Sequence, residues 1–270
     1  MKISPQPTAN SAQTKPRRTL LFACLLGSAC NAPDRDPPAN HVPVPVPTLS
    51  AVSPVPVPVP VPALPSPAPP TPHHYTVAAI GDSLTDPRSH GGGYLEYLKT
   101  RCPGLEIDNF GKGATMVNQM RRSFDERVVA PGKPYTHLMV FGGVNDLYSD
   151  LTAFRTPAKI EADLGYMYDW AHAHDVKVVA LTVAPWGGFK RYFNASRAAA
   201  THEVNAWIRA QPDRGRVDRV VDAYALLSCG DPDSLCERFF TPFKDGLHFG
   251  PEGHLILGQA LFQSAFSDCE

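Results

Sequence analysis

Nineteen of the chain's 29 prolines fall within its first 72 residues, and no other feature restricts the fold as much. Proline fixes φ at about −65° and has no N–H to donate, so a segment this rich in it cannot sustain helical or sheet hydrogen bonding. The same stretch holds a single aromatic residue, Phe22, and has too little apolar surface to bury a core. Compact structure is therefore expected to begin near His73. The segment from Tyr75 to Glu270 is long enough for one domain with a sizeable core.

The proline-rich third has its own internal order. Lys15, Arg17 and Arg18 precede a short apolar run, Leu20 to Gly27, and the run ends in Gly-Ser-Ala-Cys30. A basic start, an apolar stretch too short to span a bilayer and small residues before a cleavage point describe an export signal. Small residues immediately before Cys30 also resemble a bacterial lipobox, although Gly27 stands where leucine is usual. That resemblance implies a lipid on Cys30, and a plain secretory signal is the alternative. Beyond it, valine and proline alternate from Val42 and again from Val55 to Pro62, a pattern that favours an extended polyproline II spacer over a strand. The reading is thus an export signal over 1–30, a tether over 31–74 and a folded domain over 75–270.

Within the domain, strand-sized apolar runs alternate with segments of helical spacing. Strands are expected at Val77 to Ile80, Leu105 to Phe110, His137 to Phe141, Lys177 to Val183 and Val217 to Tyr224. Helices are expected at Gly91 to Arg101, Val117 to Val129, Ala158 to His174, Ser196 to Ala210 and His254 to Phe266. Such alternation implies a parallel sheet covered on both faces, with right-handed crossovers. The domain carries 20 basic and 24 acidic residues, which leaves no electrostatic footprint for nucleic acid.

Chemistry concentrates where strands end. The first strand breaks at Gly81-Asp82-Ser83-Leu84, placing a serine at the carboxyl end of a central strand, where open α/β sheets carry their ligands. Near the other end of the chain Asp245 stands three residues before His248, just ahead of a helix start marked by Pro251. A carboxylate at that spacing can fix the imidazole tautomer while the other ring nitrogen faces the serine. Between them lie a glycine-containing block, Asn109 to Thr115, and Gly143-Val144-Asn145-Asp146.

With these four blocks in this order, the chain resembles the SGNH hydrolases, the GDSL-type esterases and lipases. The resemblance spans about the last two hundred residues, and the glycine block is one residue shorter than the family form. It implies an α/β fold: a three-layer α/β/α sandwich around a central, mostly five-stranded parallel sheet of flavodoxin-like type. It further implies a serine esterase with Ser83 as nucleophile, His248 as base and Asp245 as its orienting carboxylate. The oxyanion would face the Ser83 N–H, the Asn145 side-chain amide and a glycine-block N–H, with Gly113 preferred and Gly111 or Ala114 open. Asp82 is read as a hydrogen-bonding brace beside the serine. No cofactor and no metal site are expected.

The substrate is less constrained. A loop from Ala184 to Phe193 carries Trp186, Phe189, Tyr192 and Phe193; Trp186 and Phe189 are the candidates for lining the pocket, and a loop packed by its own aromatics is the alternative. The expected partner is an ester, short-acyl and on a small molecule, lipid or glycan, with any membrane contact made through the lipid anchor and the protein acting as a monomer. An O-acyltransferase on an envelope glycan and a non-catalytic carbohydrate-binding module are the competing readings. An oxidising compartment favours a disulfide between Cys229 and Cys236, which flank a turn-rich loop, and Cys102 with Cys269 remains by elimination. The expected location is the cell envelope or periplasm, anchored by lipid, or outside the cell.

Overall fold

The structure, a computed structural model, describes residues 73–269; the expected signal, Cys30 and nearly all of the tether lie outside them. Among the described residues, β1 (Tyr75–Gly81), β2 (Leu105–Asn109), β3 (His137–Phe141), β4 (Lys177–Leu181) and β5 (Arg219–Val221) form one parallel sheet in the order β2-β1-β3-β4-β5. That is the flavodoxin-like order, and its switch point lies between β1 and β3, where open α/β sheets take their ligands. Helices cover both faces, so the expected three-layer α/β/α architecture is the one observed.

Strand periodicity explains the two cores. Ala78 and Ile80 of β1 point to one face with Leu138 and Val140 of β3, while Val77 and Ala79 point to the other with Met139 and Phe141. The first set packs beneath α2 (Val117–Phe124), α3 (Val144–Tyr148), α5 (Pro157–Ala173) and α6 (Ala195–Arg209), with the single turn α4 (Asp150–Ala153) between α3 and α5. The second packs beneath α1 (Gly93–Arg101), α7 (Ala223–Leu227) and α8 (Pro251–Ala265). Each fully buried leucine or isoleucine here contributes roughly 1.5–3 kcal/mol. Helix starts follow side-chain capping: Thr156 accepts from the Lys159 N–H with Pro157 next in line, and Asn194 accepts from the Arg197 N–H.

Differences from expectation have local causes. The fifth strand stops after three residues because Asp222 caps a helix, accepting the Ala225 N–H, so α7 occupies positions expected to be extended. The segment closed by the Cys229–Cys236 bridge is part of an antiparallel hairpin, β6 (Ser228–Cys229) with β7 (Asp231–Leu235). Helix α2 ends at Phe124 and continues as a π-type turn over Asp125–Val129. Both disulfides are present, Cys229–Cys236 and Cys102–Cys269. The second joins residues 167 apart in sequence, from the end of α1 to the tail after α8, a loop length for which chain entropy alone gives a stabilisation of about 5 kcal/mol.

Candidate active site

Ser83 is positioned by two neighbours. A Cβ on Gly81 would come within 2.1 Å of the Thr85 side chain and 2.9 Å of the Phe141 carbonyl, so only glycine lets β1 turn this tightly against β3. Asp82, fully buried, accepts the Leu84 N–H at 2.9 Å through Oδ1, while its main-chain carbonyl accepts the N–H groups of Thr85 and Asp86. The turn is thus braced beneath the serine. Burial pushes the Asp82 carboxyl up to about 7, and its Oδ2 has no partner among the described residues.

The loop before α8 supplies the imidazole. Gly246 has φ of +74°, and a Cβ there would lie 2.3 Å from the backbone of Gly188, so two glycines bring the 245–248 and 186–189 loops into contact. Asp245 Oδ1 accepts the N–H groups of Leu247 and His248, and its Oδ2 lies 2.6 Å from His248 Nδ1. Burial alone would raise the Asp245 carboxyl, but these hydrogen bonds outweigh it and hold the group below the usual carboxylate range. An ionised Asp245 requires the proton on Nδ1, which leaves Nε2 as an acceptor. Nε2 lies 2.9 Å from Ser83 Oγ, across 165 residues of sequence.

The candidate oxyanion donors are more particular. Asn145 stands at the start of α3, just past β3, and its Nδ2 donates to the Thr115 carbonyl at 3.0 Å, which leaves one amide hydrogen. Its neighbour Asp146 is fully buried, accepts the Val117 N–H and pairs at 2.6 Å with Arg155, itself tied to Asp163. That network, which sequence reading missed, fixes the ends of α2 and α3 against each other.

The glycine block corrects one expectation. The Gly113 N–H donates to Asp86 Oδ2 at 2.9 Å, and the Gly111 N–H to Asn109 Oδ1 at 2.8 Å. Neither can face an oxyanion while those bonds stand. Ala114 has a left-handed backbone, φ +59°, lines the same cavity as Ser83, and its N–H has no partner among the described residues. Within this block the N–H left open beside the cavity is therefore that of Ala114 and not that of Gly113. Asp86 was not singled out from sequence; Arg88 and the Gly113 N–H hold its carboxyl below the usual range against the opposing effect of burial.

Ser83, Ala114, Asn145 and His248 line a cavity of about 740 Å³ walled by Tyr148, Phe189, Tyr192 and Phe243. The Phe189 expectation agrees with this. The Trp186 expectation does not: its ring is fully buried, its Nε1 donates to Thr201 Oγ1 at 3.0 Å, and it packs edge-on against Phe193 beneath the loop. Apolar area and one satisfied N–H make Trp186 core. Tyr148 was legible in principle, three residues after Asn145 on a helix; Phe243, whose ring centroid lies 5.7 Å from that of His248, gave no sequence signature.

A model of the GDSL-like lipase/acylhydrolase family matches residues 79–256. Among solved structures, the chain is similar to a GDSL-like lipase from Bacteroides thetaiotaomicron, at 21% identity and a TM-score of 0.58, covering 70% of this chain and 86% of that one. It is similar to a member of the lipolytic G-D-S-L family from Veillonella parvula, at 17% identity and 0.57, covering 71% and 98%. It is also similar to a catalytic mutant of an acetylxylan esterase from Geobacillus stearothermophilus, at 15% identity and 0.56, covering 72% and 94%. At these identities the likeness speaks to fold. No curated protein matches the chain.

Proposed function

The chain belongs to the GDSL-like lipase/acylhydrolase family, and from that premise we propose that it is an exported serine esterase removing short acyl groups, acetyl foremost, from a carbohydrate. The observation that carries the reading is the continuous line from Ser83 Oγ through the His248 ring to Asp245, with contacts of 2.9 and 2.6 Å. His248 Nε2 takes the hydroxyl proton as Ser83 attacks the acyl carbonyl, and Asp245 stabilises the imidazolium that results. The tetrahedral oxyanion meets the N–H groups of Ser83 and Ala114 and the second Asn145 amide hydrogen. Collapse expels the alcohol, protonated by His248. A water, deprotonated by the same nitrogen, then attacks the acyl-Ser83 ester and releases the acid.

The carbohydrate assignment is supported by the aromatic wall of Tyr148, Phe189 and Tyr192, which line the cavity and pack edge-on or tilted against one another. It is also supported by the acetylxylan esterase among the similar folds. Two disulfides fit an oxidising compartment, in keeping with export and with a lipid on Cys30 holding the domain to a membrane through the proline-rich tether. Hydrolysis of p-nitrophenyl esters and O-acetylated oligosaccharides by wild type and Ser83→Ala tests the proposal. Acetyl esters are expected to be cleaved fastest, and Ser83→Ala to lose at least about 10³-fold in rate; equal rates in the two proteins refute it.

A further inference from the structure

Two cationic side chains, Arg88 and Lys112, line the catalytic cavity and also a neighbouring groove of about 450 Å³. Arg122 and Arg127 line that groove further along, with Glu126 the only acidic side chain among the described residues that line it. Their roles differ from those of nearby cations. Arg121 pairs with Asp163 at 3.2 Å and lies over the Tyr166 ring, so it serves the fold. Arg88 is largely offset by Asp86. Lys112 and Arg122, by contrast, are exposed and have no ion-pair partner among the described residues, and Arg127 rests its guanidinium over Phe110, 5.9 Å from the ring centroid. In a domain with 20 basic and 24 acidic residues, three such cations against one acid beside the catalytic cavity make a local positive field unlike the average surface.

Resting on the esterase reading above, we propose that the groove is an anion subsite, and that the physiological substrate is an acidic O-acylated glycan. Its ester is presented to Ser83 while a carboxylate or phosphate, on the same sugar or the next, enters the groove towards Lys112, Arg122 and Arg127. Arginine suits either anion by paired N–H donation, and the lysine adds charge at the junction of groove and cavity. The two anions share this chemistry and are separated by the choice of substrate.

The test compares kcat/KM for three acetylated oligosaccharides of matched length: neutral, uronate-containing and phosphate-bearing. At low ionic strength the wild type is expected to favour at least one acidic substrate over the neutral one by roughly tenfold or more. That ratio shrinks in 0.5 M salt, where the screening length is only about 4–5 Å. It collapses towards one in Arg122→Glu and in the milder Arg122→Gln with Arg127→Gln, with unfolding temperature measured alongside to separate loss of charge from loss of fold. A neutral substrate cleaved as well as both acidic ones, or a preference that persists in the variants, overturns the anion subsite and leaves the esterase reading standing. Failure to cleave any of the three glycans while p-nitrophenyl acetate is hydrolysed overturns the carbohydrate assignment together with it.

Discussion

Asp245 holds His248 twice: one carboxylate oxygen receives the histidine main-chain N–H at 2.8 Å, and the other lies 2.6 Å from the ring nitrogen Nδ1. The first contact fixes where the ring is rooted and the second fixes which nitrogen carries the proton. Both are local, within four residues, whereas the contact with Ser83 joins positions 165 residues apart.

Asp245→Asn preserves shape but removes the charge and can offer an N–H where an acceptor is required, turning the imidazole to the wrong tautomer. The expected result is a fall in kcat of about 10³–10⁴-fold on an acetyl ester, with unfolding temperature little changed. Steady-state kinetics paired with thermal denaturation decide it. A loss of less than tenfold removes the orienting role.

Asp82 makes a prediction about stability with a definite sign. Its folded-state value of about 7 lies above the unfolded value of 3.8, so the folded protein holds the proton more tightly. Stability from this group is fully present below about pH 4 and is lost as pH rises through about 7. Asp82→Asn cannot titrate. Going from pH 4 to pH 8, urea denaturation is expected to shift in favour of the variant, relative to wild type, by a few kcal/mol, on the order of 1.4 kcal/mol per pH unit across the window. His137 and His254, which burial holds down to about 4, titrate alike in both proteins and drop out of the difference. A difference that does not change with pH contradicts the burial argument.

Trp186 and Phe189 sit three residues apart and are expected to answer mutation oppositely. Trp186→Ala leaves a large hole and removes the N–H that Thr201 Oγ1 accepts, the hydroxyl keeping its bond to the Arg197 carbonyl, and costs about 3–5 kcal/mol of stability. Phe189→Ala opens the cavity wall, and its expected effect is a changed ratio of acetyl to butyryl ester hydrolysis with modest loss of stability. Melting curves and ester-length profiles for the two variants separate them; reversed effects contradict the placement.

How far the sequence could be read follows from which interactions are local. Buried strands such as Val77–Ile80 and Val178–Leu181 were legible because an apolar run bounded by turn residues has few other fates. Asp245 and His248 were legible through their three-residue spacing. The Gly113 N–H, by contrast, is claimed by Asp86, 27 positions away, so the glycine block could be seen in the sequence but which of its N–H groups stays open could not. Trp186 shows the same limit from the other side: an aromatic in a loop reads as exposed until the helix carrying Thr201 is folded over it. The hairpin at Ser228–Leu235 is short and polar, and turn composition alone does not distinguish it from irregular loop.

The central claim is that Ser83 is a nucleophile activated by His248. Incubation with a fluorophosphonate probe, followed by peptide mass spectrometry, measures it most directly. A single adduct on Ser83 is expected in wild type, absent in Ser83→Ala and strongly slowed in His248→Ala; labelling of another residue, or of Ser83→Ala to the wild-type extent, contradicts it.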